Sequence, residues 1–175
     1  MASIAVFTAA MCVIAPFSIA IGPIPLSLAT LIIYLSAGTL GWKYGALSVS
    51  LYIILGIAGM PVFTNFEGGL HKVAGVTGGY IIGYIPCALA TGVISESLHV
   101  MKSKVWPFAA GMVAGTVLLY TCGTAWFVAQ TGSTPAAALA LCVVPFLAGD
   151  AIKITAACVA APKLREALIN RGSNN

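Results

Sequence analysis

Residues 45–84, "GALSVSLYIILGIAGMPVFTNFEGGLHKVAGVTGGYIIGY", decide the fold. The stretch begins and ends in apolar sequence and carries between them the glycine-rich segment 59–80. That segment is too polar and too rich in glycine to cross a lipid core as a helix. It is also too apolar and aromatic for an idle tether. The pattern therefore predicts two membrane-spanning helices joined by a structured loop at the membrane surface.

The composition of the whole chain extends this prediction to all 175 residues. Hydrophobic residues make up 60% of the chain and charged residues 7%, whereas an ordinary soluble domain is roughly 25% charged. Eight basic and four acidic side chains cannot cover a soluble surface, so the apolar runs must face lipid and each other. We expect an all-α integral membrane protein with a single transmembrane domain over residues 1–175.

Six apolar runs approach the length of about 20 residues that a spanning helix needs. They lie at about residues 3–21, 26–41, 45–60, 78–94, 106–129 and 136–161. The first lacks the positive N-terminal region of a signal peptide and is predicted to be a spanning helix. The second and third are separated only by "GWKYG", which predicts a tight helical hairpin. Prolines in "GPIP" and "TGSTP" mark breaks after the first and fifth runs, and residues 162–175 are predicted to form a short cytoplasmic tail.

The distribution of basic residues predicts the orientation in the membrane. With the N-terminus in the cytoplasm, the external loops carry only Lys72. The cytoplasmic segments then carry Lys43, Lys102, Lys104, Lys163, Arg165 and Arg171. Basic residues concentrate on the cytoplasmic side of membrane proteins. Both termini are therefore predicted to be cytoplasmic, and the loop 59–80 between the third and fourth helices is predicted to be external.

Two charges fall inside the last apolar run, in "PFLAGDAIKITAA". Asp150 and Lys153 are three residues apart, which places them on one face of a helix. A charge at a helix centre costs about 2.5–3.5 kcal/mol on insertion scales and calls for compensation. One interpretation is an ion pair that only fixes helix packing. The other is a polar face that binds a ligand, the default hypothesis for an intramembrane charge.

The loop 59–80 supplies a second set of candidate binding groups. Its long length and its own aromatic residues suggest a lid over a small-molecule site at the outer face, although a flexible connection is the alternative for its middle part. Asn65 offers a donor and an acceptor, and Lys72 a charge. The other candidates in and beside this loop are Phe63, Phe66, Gly68, Gly69 and Tyr80.

No catalytic or metal-binding set is apparent in the sequence. There is no HExxH, GxSxG or phosphate-binding loop, and the five cysteines form no CxxC pair. We expect no enzyme activity, no metal and no cofactor. Uphill transport would have to draw on an ion gradient or on a partner, because the chain has no Walker motif.

Small residues recur at helix-packing spacing, which lets backbones approach closely in lipid. Gly79 and Gly83 form one such pair, and Gly111 and Gly115 form another. We expect both to pack the internal bundle. The third pair, Ala5 and Ala9, has two interpretations: packing within the bundle or docking of a partner protein.

The stretches quoted above resemble the BioY family, the biotin-binding substrate-capture (S) components of energy-coupling-factor (ECF) vitamin transporters. The resemblance is carried by residues 45–84, by "PFLAGDAIK" and by "GPIPLSLATL", and it extends from the first to the sixth run. "GMPVF", "GGL", "TGGY" and "GD" followed by "K" occur in the family in this order. The resemblance implies a six-helix bundle in a prokaryotic cytoplasmic membrane, with biotin bound at the external side beneath the loops.

The resemblance also implies roles for individual residues. Asp150 and Lys153 match the polar pair of the last helix that contacts the vitamin, and Asn65 matches a loop asparagine that does so. Ala5 and Ala9 resemble the small-residue motif through which S components meet a transmembrane coupling subunit with two ATPases. The stretch "SLATL" departs from the family, because Ala29 stands where a glutamine is common.

Biotin itself fits these groups. Asp150 and Asn65 are expected to bond its ureido group, while aromatic side chains pack on its rings and valeryl chain. Either Lys72 or Lys153 could meet its carboxylate. Two other functions stay open from the sequence: a stand-alone carrier or channel without an ATPase, and an intramembrane enzyme or assembly protein. The enzyme is disfavoured by the missing catalytic partners, and the purely structural role by the loop.

Overall fold

The computed structural model of the chain describes residues 1–20, 24–97 and 105–172. Its helices are α1 (Ala2–Ile14), α2 (Ala29–Ile57), α3 (Leu70–Ala74), α4 (Gly78–Ser97), α5 (Trp106–Thr131), α6 (Pro135–Cys142) and α7 (Leu147–Gly172). Two short strands, β1 (Ser18–Ala20) and β2 (Pro25–Ser27), pair antiparallel, and 3₁₀ turns occupy Thr64–Phe66 and Val144–Phe146. Lys102 and Lys104, which entered the prediction of orientation, lie outside the described residues.

Within the described residues, four helical segments are long and apolar enough to cross a membrane. They are Ala29–Ile57, Gly78–Ser97, Trp106–Thr131 and Pro135–Leu168, and the last of these extends across α6 and α7. The helix α1 is apolar but shorter, at 13 residues. The chain is therefore an all-α, multi-pass membrane protein, as its composition predicts.

The long helix α2 reverses direction within "GWKYG". Gly41 has φ 83° and ψ 177°, a non-helical conformation that favours glycine. Gly45 packs so closely on the preceding arm that a Cβ added to it would lie 2.6 Å from Cα of Ala37. Residues eight apart in a straight helix are separated by about 12 Å. The two arms of α2 therefore fold back on each other, which is the hairpin predicted for residues 26–41 and 45–60.

The first helix is shorter than predicted. It ends at Ile14, and residues 18–20 form β1, so the prediction of a helix through residue 21 is wrong. The physical reason is Pro16, because helices usually end at or before the residue preceding a proline. The chain then returns along β2, where the Ser27 hydroxyl donates to the carbonyl oxygen of Ala15 at 2.9 Å. The second predicted helix correspondingly begins at Ala29 rather than at residue 26.

The last apolar run is also not one continuous helix. The helix α6 ends at Cys142, a 3₁₀ turn follows, and α7 begins at Leu147, so the prediction of a single helix over 136–161 is wrong. Pro145 lies in the turn, where it lacks the N–H group that a continuing helix would need. Asp150 consequently lies in the first turn of α7 rather than near a helix centre. The helix then continues to Gly172, so residues 162–172 extend the helix instead of forming a separate tail.

Glycines bring α4 and α5 into close contact. A Cβ added to Gly111 would lie 2.6 Å from the Thr91 carbonyl oxygen, and one added to Gly115 would lie 2.7 Å from that of Cys87. Gly79 is packed in the same way against Trp126. The prediction that these glycine pairs pack the internal bundle is confirmed by these contacts. The bundle in turn holds the start of α7 against the start of α2 and the middle of α5.

Candidate functional site

The buried polar centre of the bundle is built where α2, α5 and α7 meet. Asp150 and Lys153 project inward from the first two turns of α7, and the two residues are only 5% and 6% exposed. The break at Pro145 allows α7 to begin inside the bundle. The free N–H groups of a helix start carry partial positive charge and favour a carboxylate in the first turn. The location of Asp150 therefore compensates part of the cost of its burial.

Lys153 uses all of its hydrogen-bonding capacity within the protein. Its Nζ donates to the Ser27 carbonyl oxygen at 2.7 Å, to the Thr30 Oγ1 at 3.1 Å and to the Asp150 Oδ1 at 2.9 Å. An ammonium group has three donors and no acceptor. Every donor of Lys153 is therefore occupied, and the side chain connects α7 to the start of α2.

Asp150 keeps acceptor capacity in reserve. Its Oδ1 accepts from Lys153, and its Oδ2 accepts from the Tyr120 hydroxyl of α5. An ionised carboxylate offers about four acceptor positions on its two oxygens. Two of these are occupied in the structure, so the carboxylate can accept further N–H groups from a ligand.

A cavity of about 50 Å³ lies against this polar pair. Its walls combine a few polar groups with apolar and aromatic side chains, the character of small-molecule sites. They are formed by Ile24, Pro25, Leu26, Ser27, Thr30, Tyr80, Tyr84, Leu119, Tyr120, Cys142, Phe146, Asp150 and Lys153. This volume is large enough for a few water molecules but is well below the roughly 300–1,000 Å³ typical of ligand pockets.

A second cavity of about 30 Å³ adjoins the first on the loop side. Tyr80 and Tyr84 line both cavities, and Phe63 lines the second. Phe63 is buried, and its ring packs edge-on against Tyr52 with centroids 5.7 Å apart. Two of the predicted aromatic residues therefore lie near the polar centre. Tyr80 lines the cavity beside it, and Phe63 lines the adjoining cavity.

Asn65 and Phe66 are located elsewhere in this conformation. They line a surface groove together with Phe17 and Ser18, not the cavity beside Asp150. The Asn65 Oδ1 accepts from the Ser18 hydroxyl at 2.9 Å, and the rings of Phe66 and Phe17 stack edge to face at 5.3 Å. Both loop residues have positive φ, 63° and 58°, which is uncommon outside glycine. The structure therefore does not bring Asn65 together with Asp150.

The remaining loop candidates support the loop rather than line the cavity. Lys72 forms an ion pair with Glu67, with 2.8 Å between Nζ and Oε2. Gly68 lies so close to the Met60 carbonyl oxygen that a Cβ added to it would be 2.1 Å away. Gly69 has φ 97° and donates its N–H to the Gly56 carbonyl oxygen at 2.7 Å. These residues hold the loop against the end of α2.

Several lining residues were missed by the sequence analysis. Tyr120 lies inside the apolar run 106–129, and its hydroxyl, like the charge of Asp150, needs a partner when buried, which is a signal already present in the sequence. Ser27 and Thr30 belong to the quoted stretch "SLATL", but nothing in their spacing indicates a contact with Lys153. Tyr84 carries no distinguishing signal in the sequence.

The exposed face of α1 carries the small-residue pair. Ala5 and Ala9 are exposed, and Val6 and Val13 beside them are each 65% exposed. The opposite face of the helix packs on α2, where the Thr8 hydroxyl donates to the Ser48 carbonyl oxygen at 3.1 Å. A groove of about 380 Å³ runs between α1 and the C-terminal part of α7. The two alanines therefore do not serve packing within the bundle of the described residues.

Known proteins resemble this chain over nearly its full length. The sequence profile of the BioY family matches residues 1–170. A biotin transporter BioY of Thermotoga maritima is 37% identical over 169 residues, which cover 95% of each chain. A probable biotin transporter BioY of Pyrococcus horikoshii is 33% identical and covers 93% of each. A crystal structure of the S-component for biotin from an ECF-type ABC transporter superposes with a TM-score of 0.86 at 26% identity, covering 94% of this chain and 89% of that one.

Proposed function

Because the chain belongs to the BioY family, we propose that it is the substrate-specific subunit of an ATP-driven ECF transporter and captures biotin for uptake. The observation that carries the proposal is the buried Asp150–Lys153 pair beside a mostly apolar cavity. Such a pair inside a membrane bundle is costly, and a ligand that bonds to it gives the cost a functional reason.

The hydrogen-bonding inventory of the pair favours one orientation of biotin. Asp150 has unused acceptors, and the ureido group of biotin offers N–H donors. The donors of Lys153 are all occupied by protein oxygens, so a carboxylate would have to displace one of them. The ureido end therefore binds toward Asp150, and the carboxylate tail extends toward the external side, where Lys72 is the candidate partner.

The apolar walls suit the remainder of the molecule. Tyr80, Tyr84, Leu119 and Phe146 provide faces against which the fused rings and the valeryl chain can pack. Phe63 extends this surface through the adjoining cavity. Burial of apolar area contributes roughly 25 cal/mol per Å², so these faces supply affinity and Asp150 supplies specificity.

The loop residues join the site in a second conformation. A biotin molecule does not fit a cavity of about 50 Å³, so the walls must move apart when the ligand binds. The segment Ile24–Ser27 and the loop 59–80 cover the external side of the cavity and act as its lid. Asn65 then leaves Ser18 and bonds to the ligand, Phe66 closes over the apolar part, and Gly68 and Gly69 allow the loop to refold.

The topology that accompanies this function has six spans. The two arms of α2 count separately, and α6 with the start of α7 forms the last span, in a prokaryotic cytoplasmic membrane with both termini in the cytoplasm. The exposed alanine face of α1 docks the transmembrane coupling subunit, whose two ATPases supply the energy. Close approach of helices at small residues is the usual mode of packing in lipid.

Uptake of labelled biotin tests the transport function directly. The chain is expressed in cells that lack biotin transport, with and without a coupling subunit and its two ATPases. The proposal predicts ATP-dependent accumulation only when the coupling module is present. Full accumulation without the module would contradict it and would identify a stand-alone carrier.

A further inference from the structure

Tyr120 is the second hydrogen-bonding partner of Asp150, and the proposed function gives it no role. Its hydroxyl donates to Oδ2 of the carboxylate, while Lys153 donates to Oδ1. Its ring lines both the cavity beside Asp150 and an open apolar groove of about 650 Å³ between α5 and α6. Its hydroxyl joins α5 to the charged pair of α7.

Two bonds to different oxygens control the orientation of the carboxylate. The terminal torsion of an aspartate is broad and poorly restrained by its own rotamer preferences. A bond from Lys153 alone would leave the carboxylate plane free to turn about that contact. With Tyr120 on the other oxygen the plane is fixed, and the acceptor positions that remain are preorganised for a ligand.

We propose that Tyr120 is a positioning residue for ligand selection. It holds the Asp150 carboxylate in the orientation that accepts one N–H group of a cyclic urea. Selectivity for such a ligand over one that lacks an N–H group then depends on the Tyr120 hydroxyl. This inference rests on the proposed function, because it assumes that the ureido end of biotin meets Asp150.

The bundle supplies a matched control for the loss of a tyrosine hydroxyl. Tyr34 is fully buried, and its hydroxyl bonds to Thr116 Oγ1 at 2.6 Å. Tyr34 does not line the cavity beside Asp150. Tyr34→Phe therefore removes a comparable buried hydrogen bond between two helices without touching the polar centre.

The test measures affinities for biotin and for its two mono-N-methylated forms, one for each ureido nitrogen, by calorimetry on the purified full chain. Tyr120→Phe is expected to weaken biotin binding about 10-fold, because a carboxylate that turns away loses its charge-assisted hydrogen bond to the ligand. The form whose methyl group replaces the N–H that bonds to Asp150 should lose much less, so that the ratio of its affinity to that of biotin changes. Tyr34→Phe should leave all three affinities within about twofold of wild type, because it removes no bond at the site.

A double-mutant cycle with Asp150→Asn tests whether Tyr120 acts through the carboxylate. Residues in one hydrogen-bond network show non-additive effects, so Tyr120→Phe should cost little when Asp150 is already replaced. Replacement of Tyr120 by para-aminophenylalanine keeps an N–H donor at the same position and should restore wild-type selectivity. If Tyr120→Phe does not fold, the selectivity of the para-aminophenylalanine variant still tests the inference.

Three results would overturn the inference. They are wild-type selectivity in Tyr120→Phe, an equal loss in Tyr34→Phe, and additive losses in the cycle. If para-aminophenylalanine fails to support selectivity in a folded protein, the inference is likewise wrong. A wild-type chain that does not bind biotin at all would contradict the proposed function together with this role, whereas the other results leave the proposed function standing.

Discussion

Replacement of Asp150 by asparagine removes the acceptor that the account assigns to the ureido group. The side chain keeps its size, and its amide oxygen can still accept from Lys153 or Tyr120, which bond to the carboxylate in the structure. The amide nitrogen, however, presents donors where the ligand also presents donors. A hydrogen bond to a charged group contributes about 1.5–3 kcal/mol. The affinity for biotin should therefore fall about 10- to 150-fold.

The assay is calorimetric titration of the detergent-purified variant, with thermal unfolding recorded in parallel. Unfolding is needed because weakening a buried ion pair also destabilises the fold. Tyr34→Phe is again the control, since it removes the buried bond to Thr116 and Tyr34 does not line the cavity beside Asp150. A neutral hydrogen bond contributes about 0.5–1.5 kcal/mol to stability, so this variant should unfold at a lower temperature but bind biotin like wild type. A folded Asp150→Asn variant with unchanged affinity would refute the reasoning.

Three further predictions concern α1, the external loop and the α2 hairpin. Ala5→Leu and Ala9→Leu should abolish biotin uptake in cells that contain the coupling module, while biotin binding measured by calorimetry stays at wild-type strength. Undiminished uptake would mean that α1 is not the docking face. Ser18→Ala should release Asn65 from its bond in the unloaded protein. Biotin affinity should then rise by up to about 10-fold, because one neutral hydrogen bond no longer has to be broken when the ligand binds. An equal or lower affinity would contradict the lid movement. The side chain of Gly45→Val should clash with the opposing arm of α2. Overpacking costs about 1–3 kcal/mol or more, so this variant should unfold at a lower temperature or fail to fold. A variant as stable as wild type would be incompatible with the observed close approach.

The membrane class and most helix positions follow from the sequence because they depend on local composition. Long apolar runs have one stable solution in lipid, which is a helix with internal backbone hydrogen bonds. The positions of the helix ends were harder to predict from the sequence. Pro16 and Pro145 mark helix ends, but Pro86 and Pro162 lie inside continuous helices, so a proline alone does not decide where a helix ends. The strands β1 and β2 are three residues each, too short for an alternating pattern to be recognised.

The charged pair was also predictable, because any charge inside an apolar run needs a partner. What the sequence could not provide is the rest of the polar centre. Ser27 is separated from Lys153 by 126 positions, and Tyr120 comes from another helix. The location of Asn65 could not be predicted either, because its bond to Ser18 joins residues 47 positions apart in the sequence. Such contacts are fixed by tertiary packing and leave no local pattern.

The binding of biotin by the isolated chain tests the central claim most directly. The chain is purified in detergent, freed of copurified ligand and titrated with biotin, with desthiobiotin and thiamine as comparators. The account predicts tight one-to-one binding of biotin, thermal stabilisation by it, and no binding of thiamine. A monodisperse, ligand-free sample that shows neither heat nor stabilisation with biotin would contradict the account and would return the Asp150–Lys153 pair to a structural role.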